Sequence, residues 1–197
     1  MKQRSPATTT IDCHYIRPEF AAAYLLVQGD EAAFVETNTT VALPQLLAAL
    51  AASGLTPEQV RWIAVTHVHL DHAGGASALM AACPNATLLC HPRAVRHLAD
   101  PSRLVAGART VYGQRAFERL YGRIDPIDEA RMGTLADEET LNWGGRELTF
   151  LHTRGHANHH FCIHDAATGG VFAGDAFGLR YPSLQSKGLF VVPSTSP

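Results

Sequence analysis

Apolar positions along the chain fall into short runs separated by turn residues, with one clear helical stripe among them. Tyr24-Leu25-Leu26-Val27 and Ala32-Ala33-Phe34-Val35 flank Gln28-Gly29-Asp30, which predicts a β-hairpin. Leu43, Leu46, Leu47 and Leu50 then recur at offsets of three and four. Pro44 stands near the start of this stripe and Gly54 just past its end, as in a helix with one buried face. Trp62-Ile63-Ala64-Val65 reads as a buried strand that runs straight into His67. Gly74 to Ala82 predicts a small-residue helix stopped by Pro84, and Thr87 to Cys90 a further strand. Residues 92–132 are Arg-rich, punctuated by Asp100-Pro101 and Asp125-Pro126, and read as a helical insertion on the rim. Strands resume over 147–152, 160–164 and 170–173. The expected class is α/β: mixed sheets covered by helices, in one domain over residues 1–197. Residues 179–197 show no clear element, although Phe190-Val191-Val192 has strand character.

The segment after the buried strand carries chemistry. Thr66-His67-Val68-His69-Leu70-Asp71-His72-Ala73-Gly74-Gly75 places three histidines and an aspartate within six residues. In extended backbone alternate side chains share a face, so His67, His69 and Asp71 point one way, and His72 joins them once the chain turns. Packing so many imidazoles together without an ion suppresses their protonation and gains nothing structurally. Imidazole and carboxylate together suit zinc, and also iron or manganese. Two later pieces match in form: a strand ending in Gly155-His156 and a strand ending in Gly174-Asp175. Loops at strand ends are where sites gather in α/β sheets.

His67-x-His69-x-Asp71-His72, then Gly-His, then Gly-Asp, resembles the ordered ligand set of the metallo-β-lactamase-fold superfamily. The resemblance runs from about Tyr24 to Asp175, and residues 100–113 look like one branch of stand-alone members. It implies an αββα sandwich. It implies that His67, His69 and His156 bind a first metal ion, that Asp71 and His72 bind a second, and that Asp175 bridges the two. Two zinc ions are usual in the superfamily. They supply a hydroxide nucleophile and polarise the substrate, and Asp71 would orient the nucleophile and pass a proton to the leaving group. The expected function is a metal-dependent hydrolase of an ester, thioester, lactone or amide. The alternatives are a mononuclear iron oxidoreductase similar to persulfide dioxygenases, held by His67, His156 and Asp175, and an inactive metal-binding fragment.

Three positions depart from the superfamily pattern. No histidine follows His164, so the last ligand of the second metal is missing, and the domain is expected to be C-terminally incomplete. Glu36-Thr37-Asn38 stands where Asp-Thr-Gly is usual, which is expected to alter ligand support. Thr153-Arg154-Gly155-His156 replaces Thr-Pro-Gly-His. His160 is expected to act beside the ligands rather than as one, and His14, His91, His97 and His152 to lie at the surface or in packing.

Composition narrows the remaining classes. Of 197 residues, 46% are hydrophobic and 17% charged, and a net charge of -2 argues against a nucleic-acid partner. Cys13, Cys83, Cys90 and Cys162 form no CxxC pair, which points to buried or half-buried free thiols in a reducing compartment. The N-terminus shows no secretory core, and no apolar run is long enough for a membrane span. A cytoplasmic protein acting on a small molecule is expected.

Overall fold

The computed structural model describes residues 6–178 and 181–186. Among the described residues, ten strands form two sheets. The first has six strands in sequential order: β1 (Ala7–Asp12), β2 (Ala22–Gln28), β3 (Glu31–Val35), β4 (Val60–Ala64), β5 (Thr87–Cys90) and β6 (Met132–Thr134). β1 to β3 pair antiparallel and β3 to β6 parallel, so this sheet is mixed. The second is an antiparallel meander of β7 (Glu139–Trp143), β8 (Arg146–His152), β9 (Phe161–Asp165) and β10 (Gly170–Phe172). The helices are α1 (Leu43–Ala52), α2 (Leu70–Ala73), α3 (Ala76–Ala82), α4 (Val95–Ala99), α5 (Ser102–Tyr112), α6 (Gln114–Tyr121) and α7 (Pro182–Gln185).

Strand alternation explains how one sheet serves two cores. Leu25, Phe34, Ile63 and Leu88 project to one face, where Leu46, Leu50, Leu79 and Leu98 of the helices meet them. Their neighbours Leu26, Val35, Ala64 and Leu89 project to the other face, against Leu148, Phe150, Phe161 and Ile163 of the second sheet. A strand buried on both faces must be apolar at consecutive positions, hence the unbroken runs in β2 to β5. The α/β class, the hairpin at Gly29 (φ 59°), α1 and the strands leading to the site are as the sequence implied.

Four features differ from the expected elements. β1 and β7 carry mostly polar residues and lie at sheet edges, where an apolar run is not needed. β6 has only three residues, too few to show a period. The segment 92–132 does hold α4, α5 and α6, but Ala94, Leu98 and Ile127 are buried in the helix-side core and Met132 already belongs to β6. It is packed into the sheet edge as well as lying on the rim. Arg93, Arg96, Arg103, Arg109, Arg115, Arg119 and Arg123 are all exposed, as a solvated face requires. The fourth difference concerns the helix after Gly74, which is preceded by the separate turn α2. Phe190-Val191-Val192 lies outside the described residues.

The four cysteines are buried free thiols, and burial pushes Cys13 and Cys90 up to about 12. Among the described residues, no helix is long and apolar enough to cross a membrane.

Candidate metal centre

The loops at the ends of β4, β8 and β10 converge on one point. After β4 the chain bends at Thr66 and His67, is extended at His69 (φ -60°, ψ 145°), and then turns into α2. The turn therefore comes before Asp71 rather than after it, and Asp71 and His72 share the short helix. His67, His69 and His156 bring ligand atoms within 4.8 Å of one another, and so do His67, His72 and Asp175. His67 belongs to both groups. Asp175 reaches across them, with Oδ1 3.2 Å from His72 Nε2 and Oδ2 3.5 Å from His156 Nε2. Asp71 stands at the edge: its Oδ2 is 3.8 Å from His72 Nε2, and 43% of its side chain is exposed. Asp71 belongs to neither close group.

Hydrogen bonds fix which nitrogens face inward. Thr66 Oγ1 donates to the Glu36 carboxylate in a short bond, so at its other contact, 3.0 Å away, it accepts from His67 Nδ1. His72 Nδ1 donates to Glu36 Oε1 at 3.2 Å. One carboxylate thus places both Nδ1 protons and turns both Nε2 atoms toward the site. His67 Nε2 is buried and has no hydrogen-bond partner. A buried lone pair with no donor is costly, and a cation satisfies it. His69 Nδ1 and His156 Nε2 are 2.9 Å apart, a spacing at which two lone pairs need a proton or a cation between them.

Electrostatics point the same way. Burial and the neighbouring imidazoles of His72, His69, His160 and His156 hold His67 far below the usual histidine value, so it is neutral. Burial and His156 also lower His69. Burial opposes charge on His72, but the Glu36, Asp175 and Asp71 carboxylates outweigh it and raise its pKa well above the usual value. At His72 Nε2, a proton and a bound cation are alternatives. This donor set of neutral imidazoles and carboxylates, with an unpaired buried Nε2 at its centre, fits a divalent metal such as zinc.

The substitution of Glu36 for the usual aspartate was expected to alter ligand support, and the local backbone shows how the longer side chain is accommodated. Glu36 and Asn38 adopt left-handed conformations (φ 66° and 52°), which non-glycine residues hold only when the surroundings impose them. Thr37 donates twice to His72 O at 2.9 Å, and Asn38 Nδ2 donates to Asp71 O at 2.8 Å. Gly75 lets the loop come this close, because a Cβ there would lie 2.8 Å from Thr37 O and Thr39 O. Nothing in the spacing of Glu36 signals that it reaches Thr66 and His72 together.

His91 packs against His152 with ring centroids 4.1 Å apart and is 3% exposed, consistent with a packing role. Burial, with the His152 imidazole beside it, pushes His91 down to about 4. The folded state therefore keeps His91 neutral while the unfolded chain takes up a proton below about 6.5. Its contribution to stability is full above pH 6.5 and declines as the pH falls toward 4. The metal-free protein is expected to unfold at lower denaturant concentration at pH 5 than at pH 7.5. His91→Phe should flatten that dependence; equal midpoints at the two pH values would contradict this.

These features define a class: a mixed sheet packed on an antiparallel one, with a cluster of histidines and aspartates at the strand ends. The family profile described as the metallo-beta-lactamase superfamily matches residues 16–190, and the chain belongs to that superfamily. A hydroxyacylglutathione hydrolase from Anaeromyxobacter dehalogenans is 34% identical over 126 residues, covering 64% of this chain and 43% of that protein. A rubredoxin-oxygen oxidoreductase from Megalodesulfovibrio gigas is 27% identical over 130 residues, covering 66% and 26%. The solved structure of a metallo-beta-lactamase superfamily protein from Sulfolobus tokodaii superposes with a TM-score of 0.75 at 20% identity. That match covers 96% of this chain and 69% of the other, and it speaks to the fold. The chain spans 33% to 51% of the length of the first curated relatives it matches.

Proposed function

We propose that this chain is a metal-dependent hydrolase acting on an ester, thioester, lactone or amide in a small-molecule substrate. The observation that carries the reading is the pair of three-donor groups sharing His67, whose buried Nε2 lacks a partner. His67, His69 and His156 would hold one ion, and His72, Asp175 and Asp71 a second, with zinc favoured and iron or manganese as alternatives. Bound divalent metal supplies Lewis acidity and brings the pKa of water toward about 7. The protein's own groups do the rest. Glu36 orients His67 through Thr66 and His72 directly. A cavity of about 330 Å³ opens beside His72, Asp175 and Asp71 and is walled by Tyr15, Phe20, Tyr24 and Tyr181, which suits an apolar acyl or aryl group. Asp71 lies on this wall, half in solvent, where it can orient a water and carry a proton to the leaving group.

A panel of thioesters, esters, lactones, phosphodiesters and persulfides, assayed with zinc, iron or manganese, tests the reading. Hydrolysis abolished by a chelator and restored by zinc is the expected result. Hydrolysis indifferent to chelation would contradict it. The match to a rubredoxin-oxygen oxidoreductase is what supports an oxidoreductase as the alternative, and turnover of persulfide with oxygen uptake on iron alone would select the mononuclear iron reading. Asp71→Asn keeps the shape and removes the basicity. Turnover should fall by about 10²- to 10⁴-fold with little change in melting temperature. Unchanged turnover would remove Asp71 from the chemistry.

A further inference from the structure

His160 is fully buried four residues beyond His156, and both its ring nitrogens are engaged. Asp175 N lies 3.2 Å from Nε2, and a backbone N–H can only donate, so Nε2 accepts. The ring proton then sits on Nδ1 and is donated to Thr153 Oγ1 at 2.7 Å. This commitment takes His160 out of the set of available ligands. The ring spans from the end of β8 to the loop after β10, the two loops that deliver His156 and Asp175.

The loop after β10 is shaped to receive that ring. Gly174 is left-handed (φ 49°), and a Cβ there would lie 2.6 Å from His160 Nε2 and 2.5 Å from Thr66 Oγ1. The Gly174–Asp175 peptide is therefore clasped between the hydroxyl that serves His67 and the imidazole of His160. Asp175 needs such a clasp, since its two oxygens point toward different donor groups, at His72 and at His156.

We propose that His160 is a positioning residue that sets the Asp175 carboxylate across the two metal-ligand groups, acting through the Asp175 amide and held in its tautomer by Thr153. The inference rests on the metal reading above but not on hydrolysis.

The test is Co²⁺ titration of the full chain, followed by visible absorption and by competition with a chromophoric chelator. Asp175→Asn marks the binding phase that depends on this carboxylate. His160→Phe, which keeps the ring and loses both bonds, should weaken that same phase by about tenfold or more, in the range of losses seen when ligand-orienting partners are removed. His160→Gln, whose amide oxygen can accept from the Asp175 N–H, should recover part of the loss. Thr153→Val leaves the ring in place and frees its tautomer, so it should weaken the same phase to a smaller degree; it also decides the matter should His160→Phe fail to fold. Folded His160→Phe or Thr153→Val protein with wild-type Co²⁺ affinity and spectrum would overturn the proposal. Weakened binding in a chain that hydrolyses nothing on the panel would leave it standing and remove the hydrolase reading.

Discussion

Arg146→Ala is expected to destabilise the protein by about 3–5 kcal/mol, the cost typical of leaving one member of a buried ion pair alone. Both side chains of the Arg146–Asp165 pair have no exposed surface. The guanidinium donates to Asp165 through Nε at 3.1 Å and Nη2 at 2.6 Å. Its remaining donors reach Ala7 O, Thr8 Oγ1 and Val27 O, on β1 and β2 of the other sheet. One side chain thus ties the meander to the edge of the six-stranded sheet. Burial opposes charge on Asp165, but the Arg146 bonds outweigh it and hold the carboxyl below its usual range. Denaturant unfolding of Arg146→Ala checks the expectation. The double variant Arg146→Met/Asp165→Leu should recover much of the loss, because it removes the stranded charge. A single variant as stable as wild type would show that the clasp between the sheets is dispensable.

The second large effect is expected at Glu36. Glu36→Ala removes the carboxylate that places protons on His67 and His72, and should lower metal affinity by about 10- to 100-fold. Glu36→Gln keeps the oxygen on which the Thr66 hydroxyl and His72 Nδ1 converge but loses the charge and the second oxygen, which accepts from Thr66 N, and should fall in between. The fold should survive, since Glu36 lies in a loop and its neighbours Thr37 and Asn38 bond to α2 through other atoms. Zn²⁺ affinity measured by chelator competition decides this. A Glu36→Ala protein with wild-type affinity would mean that the imidazoles hold their orientation without it.

Much of this site is legible in the chain because it is built from strand exits. A buried strand running into His67-x-His69, and two later strands ending in Gly-His and Gly-Asp, declare where the candidate ligands gather. The structure brings His67, His69, His72, His156 and Asp175 together, with Asp71 at the rim. The supporting layer was harder to read. Glu36 works because a left-handed backbone aims it, and φ is not written in residue order. His160 is recognisable as a histidine near the candidate ligands, but its bond to the Asp175 amide depends on how two loops meet. Arg146 gave no signal at all, since an arginine in a strand ordinarily belongs to the solvent face. The edge strands β1 and β7 are hard to see in the sequence for a related reason: they carry mostly polar residues and lack the apolar runs that mark β2 to β5.

The donors that share His67 are predicted to form a metal centre. Elemental analysis of the purified chain beside its His67→Ala variant tests it most directly, because this one substitution removes a ligand from both groups. Wild-type protein is predicted to retain a stoichiometric divalent ion through dialysis, and folded His67→Ala protein to retain almost none. Metal content unchanged by His67→Ala, or a wild-type chain that takes up no zinc, iron or manganese, would show that these donors form no metal centre.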